Sequence, residues 1–369
     1  MTENEGIEKL IRSCLAVFSG YSACKSPETL EGEVEVPVEN IIKLDANENP
    51  YGCSPRVLQA LASCPNVSIY PDAGQTGLRE LVAGYTGVDI ERIVAGNGSD
   101  QLIDLILRLF VEPGDEIINC APSFEMFRFG ADLCGAPLIE VPRDENYAVN
   151  VKAVKAAINS KTKMIFLANP NNPTGTLTPQ PDILEILDTG LPVVVDEAYY
   201  EFSGETMLPQ VGRYRNLMVL RTFSKWAGLA GLRVGYGIFP LEIAGYMMRI
   251  KPPYNINAAA LVAVRESLKD KDYLMGRVKA IVAERERLFG ELKKLKWLKP
   301  FPSKANFILC SVLIGKASEL QQKLQKKGIL TRYFDRPLLE NSIRFSVGKP
   351  EHTDALIKAL REIGGQGNG

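Results

Sequence analysis

The sequence is almost without histidine. One residue, His352, stands among 369, too little for a histidine-based triad or a multi-histidine metal centre, so no metal site is expected. Long apolar runs are missing too. None reaches the roughly 20 residues that a membrane helix needs. The start, "MTENEGIEKLIRSCLAVFSG", carries Glu3, Glu5 and Glu8 before a short amphipathic run and has neither the basic start nor the long apolar core of a secretory signal. The expectation is a soluble, cytoplasmic protein with no membrane partner. Charge of one sign is not in excess: the formal net charge is −1, which argues against a nucleic-acid partner held by a broad basic surface. The seven cysteines, Cys14, Cys24, Cys53, Cys64, Cys120, Cys134 and Cys310, include no C-x-x-C pair. They read as reduced thiols packed as small apolar side chains. His352, in "GKPEHTD", reads as a surface residue where a helix begins.

What the chain has is an ordinary globular composition, 46% hydrophobic and 24% charged. Its length exceeds one comfortable core, so two lobes are expected. Helical periodicity is expected near 54–63, 77–85, 100–110, 125–134 and 151–158, between short apolar runs such as "KMIFLANP", "LPVVVDEAYY" and "NLMVLRTFS". Val193–Val195 shows no polar alternation, which suits a strand covered on both faces in a mostly parallel sheet. The fold class read from this alternation is layered α/β. From about Pro252 the pattern changes to helices near 257–268, 273–295 and 316–326 among three strand-like runs, with a last helix from Pro350, as in a smaller α+β unit.

Polar residues gather at the ends of the expected strands, where open α/β sheets place their ligands. "GNGSD" passes through Gly96 and Gly98 into a helix near Ser99; it is either a phosphate-binding helix start or a plain turn with an N-cap. "ANPNNPTG" presents Asn171 and Asn172 between prolines, as a rigid turn or as part of a site. "VVVDEAYYEF" sets Asp196 and Glu197 at a buried strand end, to pair with a helix cation or with a protonated ring nitrogen. Lys225, in "RTFSKWAGLAGLRVGY", lies in a stretch from 216 to 239 that has no Asp or Glu. Such a lysine either reaches water along its apolar stem or has a chemical task. Acyl transfer lacks a histidine base and "G-x-x-x-x-G-K-[ST]" is absent. A phosphate cradle, an acid, amides and a lysine are what pyridoxal phosphate requires.

The motifs "KLDANENPYG", "YPD", "GNGSD", "NPNNPTG", "DEAY", "RTFSK", "GLAGLRVGY", "PPYN", "ANFIL", "GILTR" and "IRFSVG" follow one another along almost the whole chain. In this the sequence resembles the histidinol-phosphate aminotransferases, within the fold-type I pyridoxal-phosphate enzymes. The resemblance implies a large domain with a mostly parallel seven-stranded sheet covered by helices, and a smaller α+β domain. It implies an arm over 1–45 packing on the small domain and the partner subunit, a large cofactor-binding domain over 46–252, a small domain over 253–363 and a disordered tail over 364–369.

For the site, the resemblance implies Lys225 as the Schiff-base lysine and proton carrier, and Asp196 as the partner of the pyridine nitrogen. Tyr199 and Asn172 would bond the phenolic oxygen. Ser99, Asp100, Thr222, Ser224 and Arg233 would surround the cofactor phosphate, with Tyr70 reaching the neighbouring subunit's phosphate in a homodimer. Phe124 would stack on the ring. Arg332 and Arg344 would clamp the substrate anion, with Tyr21, Asn47, Tyr254 and Asn255 as further contributors. Departures are Phe124 for a common tyrosine, Cys53 for a common proline, Trp226 for a small residue at the pocket edge, and Lys251 for arginine at the surface. The implied reaction transfers the amino group between histidinol phosphate and 2-oxoglutarate, giving imidazole-acetol phosphate and glutamate in histidine biosynthesis, with ping-pong kinetics. The alternatives are threonine-phosphate decarboxylation for cobamides, broad aromatic transamination, and a regulator that binds ligand without turnover. An intact Lys225–Asp196 pair weighs against the last.

Overall fold

A computed structural model describes residues 6–16, 18, 20–21, 23–24, 26–30, 34–64, 67–334 and 336–365. β1 (Ile42–Leu44) comes first in the chain, followed by β2 (Ile93–Gly96), β3 (Glu116–Ala121), β4 (Leu138–Pro142), β5 (Thr162–Ala168), β6 (Val193–Asp196), β7 (Leu217–Thr222) and β8 (Gly235–Ile238). β9 (Leu298–Pro300), β10 (Phe307–Val312), β11 (Ile329–Phe334) and β12 (Ser342–Ser346) complete the set. Strands β2 to β8 form a seven-stranded sheet in the order β2-β8-β7-β6-β5-β3-β4. β8 runs against both its neighbours and the other pairings are parallel. The second sheet has the order β1-β11-β12-β10-β9. The α/β architecture and the mostly parallel sheet are as expected.

The uninterrupted valines of β6 are explained by the layers. Val193 and Val195 enter one hydrophobic cluster, and Val194 enters another on the opposite face. Side chains alternate along a strand, so a strand covered on both faces must be apolar at every step. Helices Gly98–Phe110, Glu125–Cys134 and Leu241–Ile250 cover the second face through Leu102, Ile106, Phe127 and Met247.

No break in packing marks the boundary expected after 252. Ala260, Ala263 and Val264 of helix Ala258–Lys269 belong to the core of the large sheet. The 23-residue helix Lys271–Lys293 enters that core with Leu274, Val278 and Ile281, and the core of the smaller sheet with Leu288 and Leu292. A continuous helix thus links the two lobes. β1, from the segment read as an arm, lies parallel to β11 and extends the smaller sheet. Gly364 and Gly365 close helix Pro350–Gly365, and the rest of the expected tail lies outside the described residues.

Two expectations for the departures are corrected here. Trp226 does not shape a pocket edge; it is fully buried and stacks on Tyr85 with centroids 5.5 Å apart. Lys251 is not a surface exchange. It is buried, and its ammonium donates to the carbonyls of Ala73 at 2.6 Å and Pro253 at 3.3 Å, which replace its water.

Candidate active site

A cavity of about 560 Å³ opens where β5, β6 and β7 end, against β11, β12, Tyr21, Cys24 and residues 45–48. The fold brings together in its wall Tyr21, Asn47, Ser99, Asp100, Phe124, Asn172, Asp196, Tyr199, Thr222, Ser224, Lys225, Arg233, Arg332 and Arg344. Tyr70, Tyr254 and Asn255 do not line it. Tyr70 is 78% exposed and stacks on Tyr254 with centroids 4.6 Å apart. Asn255 is tied to Gln75 at 2.7 Å, Gln101 at 2.7 Å and the Ala95 carbonyl at 3.1 Å, bracing the start of helix Gly98–Phe110.

The adjacent acids at the end of β6, Asp196 and Glu197, part company. Glu197 takes the ion pair: Arg221 of β7 donates to it through Nη2 at 2.9 Å and Nε at 3.0 Å, with Thr206 and the Met207 N–H also on its carboxylate. The acid-free stretch around Lys225 therefore supplies its arginine to a neighbouring strand. Asp196, one residue earlier, points to the cavity side. Its Oδ1 accepts only the Ala198 N–H at 3.0 Å, and among the described residues no Lys or Arg forms an ion pair with it. Burial of this uncompensated carboxyl pushes its pKa up to about 7.

Lys225 follows β7 and donates to the Ala46 carbonyl at 3.0 Å. Burial, and then the positive charge of Arg344, lower its pKa to about 8. The free base that nucleophilic work requires is thus far more populated near neutrality than in an ordinary lysine.

A helix start suited to an anion lies at the Ser99 end. Asn97 offers no side-chain cap to helix Gly98–Phe110; the Gly98 N–H donates to the Arg233 carbonyl at 3.0 Å, which leaves the N–H groups of Ser99 and Asp100 for an anion. Arg233, at φ +50°, brings Nη2 to 2.8 Å from Asp100 Oδ2. Gly98 is required there: a Cβ would lie 2.6 Å from Arg233 Nη2, and its φ is +76°. Thr222 donates to Ser224 Oγ at 2.9 Å on the same side.

Asn47, also at positive φ, donates to the Tyr199 hydroxyl at 2.9 Å. It is held by Ser346 through its N–H and Oδ1 and by Asn306, whose amide donates to its carbonyl at 2.9 Å. The late motifs "ANFIL" and "IRFSVG" thus fix a residue of the early one. Burial raises the Tyr199 hydroxyl to about 12.

At the far end, Arg332 and Arg344 are register partners on β11 and β12. Arg344 is buried and donates to Asn172 Oδ1 at 2.6 Å and to the Asp45 carbonyl at 2.5 Å, while its Nε has no partner in the described structure. The sequence reading missed Arg336 and Glu125, which line the same end and pair at 2.8 Å. Missed too was Lys43, paired with Asp45 and Glu48 at 2.8 Å each. Lys43 opens the motif "KLDANENPYG", whereas Glu125 and Arg336 lie outside the quoted motifs, and surface charges look the same until folded.

A buried acid without a cation, a low-pKa lysine amine, a helix-start anion cradle and Phe124 on the wall fit the pyridinium, aldehyde, phosphate and ring face of pyridoxal phosphate. Residues 39–360 match the family described as aminotransferase class I and II. The histidinol-phosphate aminotransferase of Dehalococcoides mccartyi is 57% identical over 97% of this chain and 99% of its own. That of Roseiflexus castenholzii is 46% identical over 97% and 99%. Among solved structures, the histidinol-phosphate aminotransferase of Sinorhizobium meliloti, in complex with pyridoxal-5'-phosphate, superposes with a TM-score of 0.85 at 27% identity, covering 95% of this chain and 99% of that one. With its fold, its cavity and these likenesses in agreement, this chain belongs to the class I and II aminotransferases.

Proposed function

We propose that the protein transfers the amino group of histidinol phosphate to 2-oxoglutarate, in histidine biosynthesis, with pyridoxal phosphate as cofactor. The name carried by its relatives supports the substrate. The structural observation that carries the reading is the pairing of Arg332 with Arg344 directly across β11 and β12. Like charges at opposed positions are unfavourable unless an anion lies between them, and two guanidinium forks match a phosphate monoester.

When bound, the cofactor supplies an aldehyde for the amine and an electron sink for the substrate Cα. Lys225 takes the proton from that Cα, its depressed pKa making the free amine available near pH 8. Asp196 holds a proton on the ring nitrogen, and a cationic partner would draw its carboxyl back to the ionised form. Tyr199, oriented by Asn47, and Asn172, oriented by Arg344, bond the phenolic oxygen. The first-turn N–H groups at Ser99 and Asp100, with Thr222, Ser224 and Arg233, take the cofactor phosphate, and Phe124 covers the ring. Arg344 also receives the glutamate carboxylate in the second half-reaction.

The active unit in this reading is a cytoplasmic homodimer. Its support is Tyr70, exposed with Val67 and Ile69 and stacked on Tyr254 outside the cavity of its own chain. Titrating the holoenzyme with histidinol phosphate, threonine phosphate and phenylalanine, while following the cofactor spectrum, tests the substrate. Conversion to the pyridoxamine form by histidinol phosphate at the lowest concentration is expected. Carbon dioxide release from threonine phosphate, or preference for phenylalanine, overturns it.

A further inference from the structure

Three guanidinium groups surround one aromatic ring. Arg332, Arg336 and Arg344 lie 5.7, 5.3 and 5.6 Å from the Phe334 centroid, and all four residues line the cavity. A carboxylate pairs with two of them. Glu125, beside Phe124 at the start of helix Glu125–Cys134, is 2.8 Å from Arg336 and 3.8 Å from Arg332. The side chains of Arg332, Arg336 and Glu125 are only 16%, 26% and 29% exposed, so water screens them weakly. Arg336 also donates to the Ser123 carbonyl at 3.1 Å, and its buried Nε has no partner among the described residues. Two other charged groups near it, Arg128 and Glu140, pair with each other at 2.8 Å.

We propose that Arg336 is a third anion-binding side chain of the substrate site, and that Glu125 is its resident counter-ion, displaced by a phosphate dianion and not by a single carboxylate. The inference rests on the histidinol-phosphate reading for its natural ligand. Its physics is an exchange. A ligand carboxylate that replaces Glu125 gains no charge interaction over the one it breaks. A phosphate monoester brings a second charge and a third acceptor oxygen to the same guanidinium forks. Glu125 is thus the repulsive element that separates the two anion classes. Each of the two carboxylates of glutamate carries one charge, so neither displaces Glu125, and one is taken by Arg344.

The test uses holoenzyme, in which the cofactor phosphate occupies the cradle at Ser99 and inorganic phosphate reports the arginine end alone. In Arg336→Gln, KM for histidinol phosphate should rise about tenfold, the loss of a charge-assisted fork, with kcat and KM for glutamate within about twofold. Calorimetric titration with inorganic phosphate should weaken by a similar factor. Arg336→Lys, which keeps the charge and loses the fork, should fall between and serves if the glutamine variant does not fold. In Glu125→Gln, phosphate should bind several-fold tighter and the preference for phosphate over acetate should narrow. Unchanged phosphate binding in Arg336→Gln, equal losses for glutamate, or weaker phosphate binding in Glu125→Gln would overturn the proposal. If the wild type does not turn over histidinol phosphate, the substrate reading falls, while the phosphate and acetate titrations still decide the roles of Arg336 and Glu125.

Discussion

The side-chain amide of Asn47 donates to the hydroxyl of Tyr199 at 2.9 Å, and Asn47 does so from a left-handed backbone with φ +56°. Asparagine tolerates that conformation better than most residues; its side-chain amide serves Tyr199 and Ser346, while its backbone carbonyl accepts from Asn306. Asn47→Ala should lower kcat about tenfold and stability by about 2 kcal/mol, since buried partners are left unsatisfied. Initial rates and denaturant melts check the two effects. Asn47→Gly keeps the backbone conformation, so a comparable drop in kcat would assign the loss to the amide.

Lys225→Ala should remove the visible absorption of lysine-bound pyridoxal phosphate and cut turnover by several orders of magnitude. The sign of its pKa shift gives a second prediction. The folded protein depresses the ammonium from the ordinary lysine value of 10.5 to about 8. The rate at which apoenzyme captures pyridoxal phosphate should therefore rise with pH, half-maximal near 8. A stopped-flow pH series giving a midpoint near that of free lysine would contradict this.

Asp196→Asn removes a buried carboxyl whose folded pKa, about 7, is raised above the ordinary 3.8. Between those values the folded state binds the extra proton, so wild-type apoenzyme loses stability as pH rises through the window and is level above it. Apo Asp196→Asn should be more stable than wild type by on the order of 2–4 kcal/mol at pH 8. That advantage should shrink as pH falls towards 4, while catalysis is largely lost at every pH. Thermal melts of both apoproteins across pH 4–8 are the measurement.

Arg344→Lys should raise KM for both glutamate and histidinol phosphate by about 100-fold, because a lysine has no fork for Asn172 and the ligand together. Arg332→Gln should raise KM for histidinol phosphate alone. Steady-state kinetics with each donor separates the two arginines.

If Tyr70 serves the partner's site, two crippled subunits can rescue each other. Mixing Lys225→Ala with Tyr70→Ala subunits after dissociation leaves one native site in each mixed dimer. Activity should recover to about one quarter of wild type, the fraction of native sites after random pairing. No recovery would place Tyr70 in its own subunit's site or outside any site.

The sequence by itself determined the layered sheet and the positions of its chemical groups. Local rules sufficed: the valines of β6 need cover on both faces, and Gly98 before Ser99 allows a tight helix start. Lys225 stood out because no acid accompanied it in the chain. Tertiary structure decided how those groups share their partners. Asp196 and Glu197 are adjacent and chemically alike, yet only pairing with β7 shows that Arg221 satisfies Glu197 and leaves Asp196 to the cavity. Lys251 could be recognised as buried only once the Ala73 carbonyl had been brought to it. Glu125 and Arg336 are 211 residues apart and met only on folding. A charge reveals its task through its neighbours, and across such separations neighbours are set by the packing of whole lobes, which no local pattern encodes.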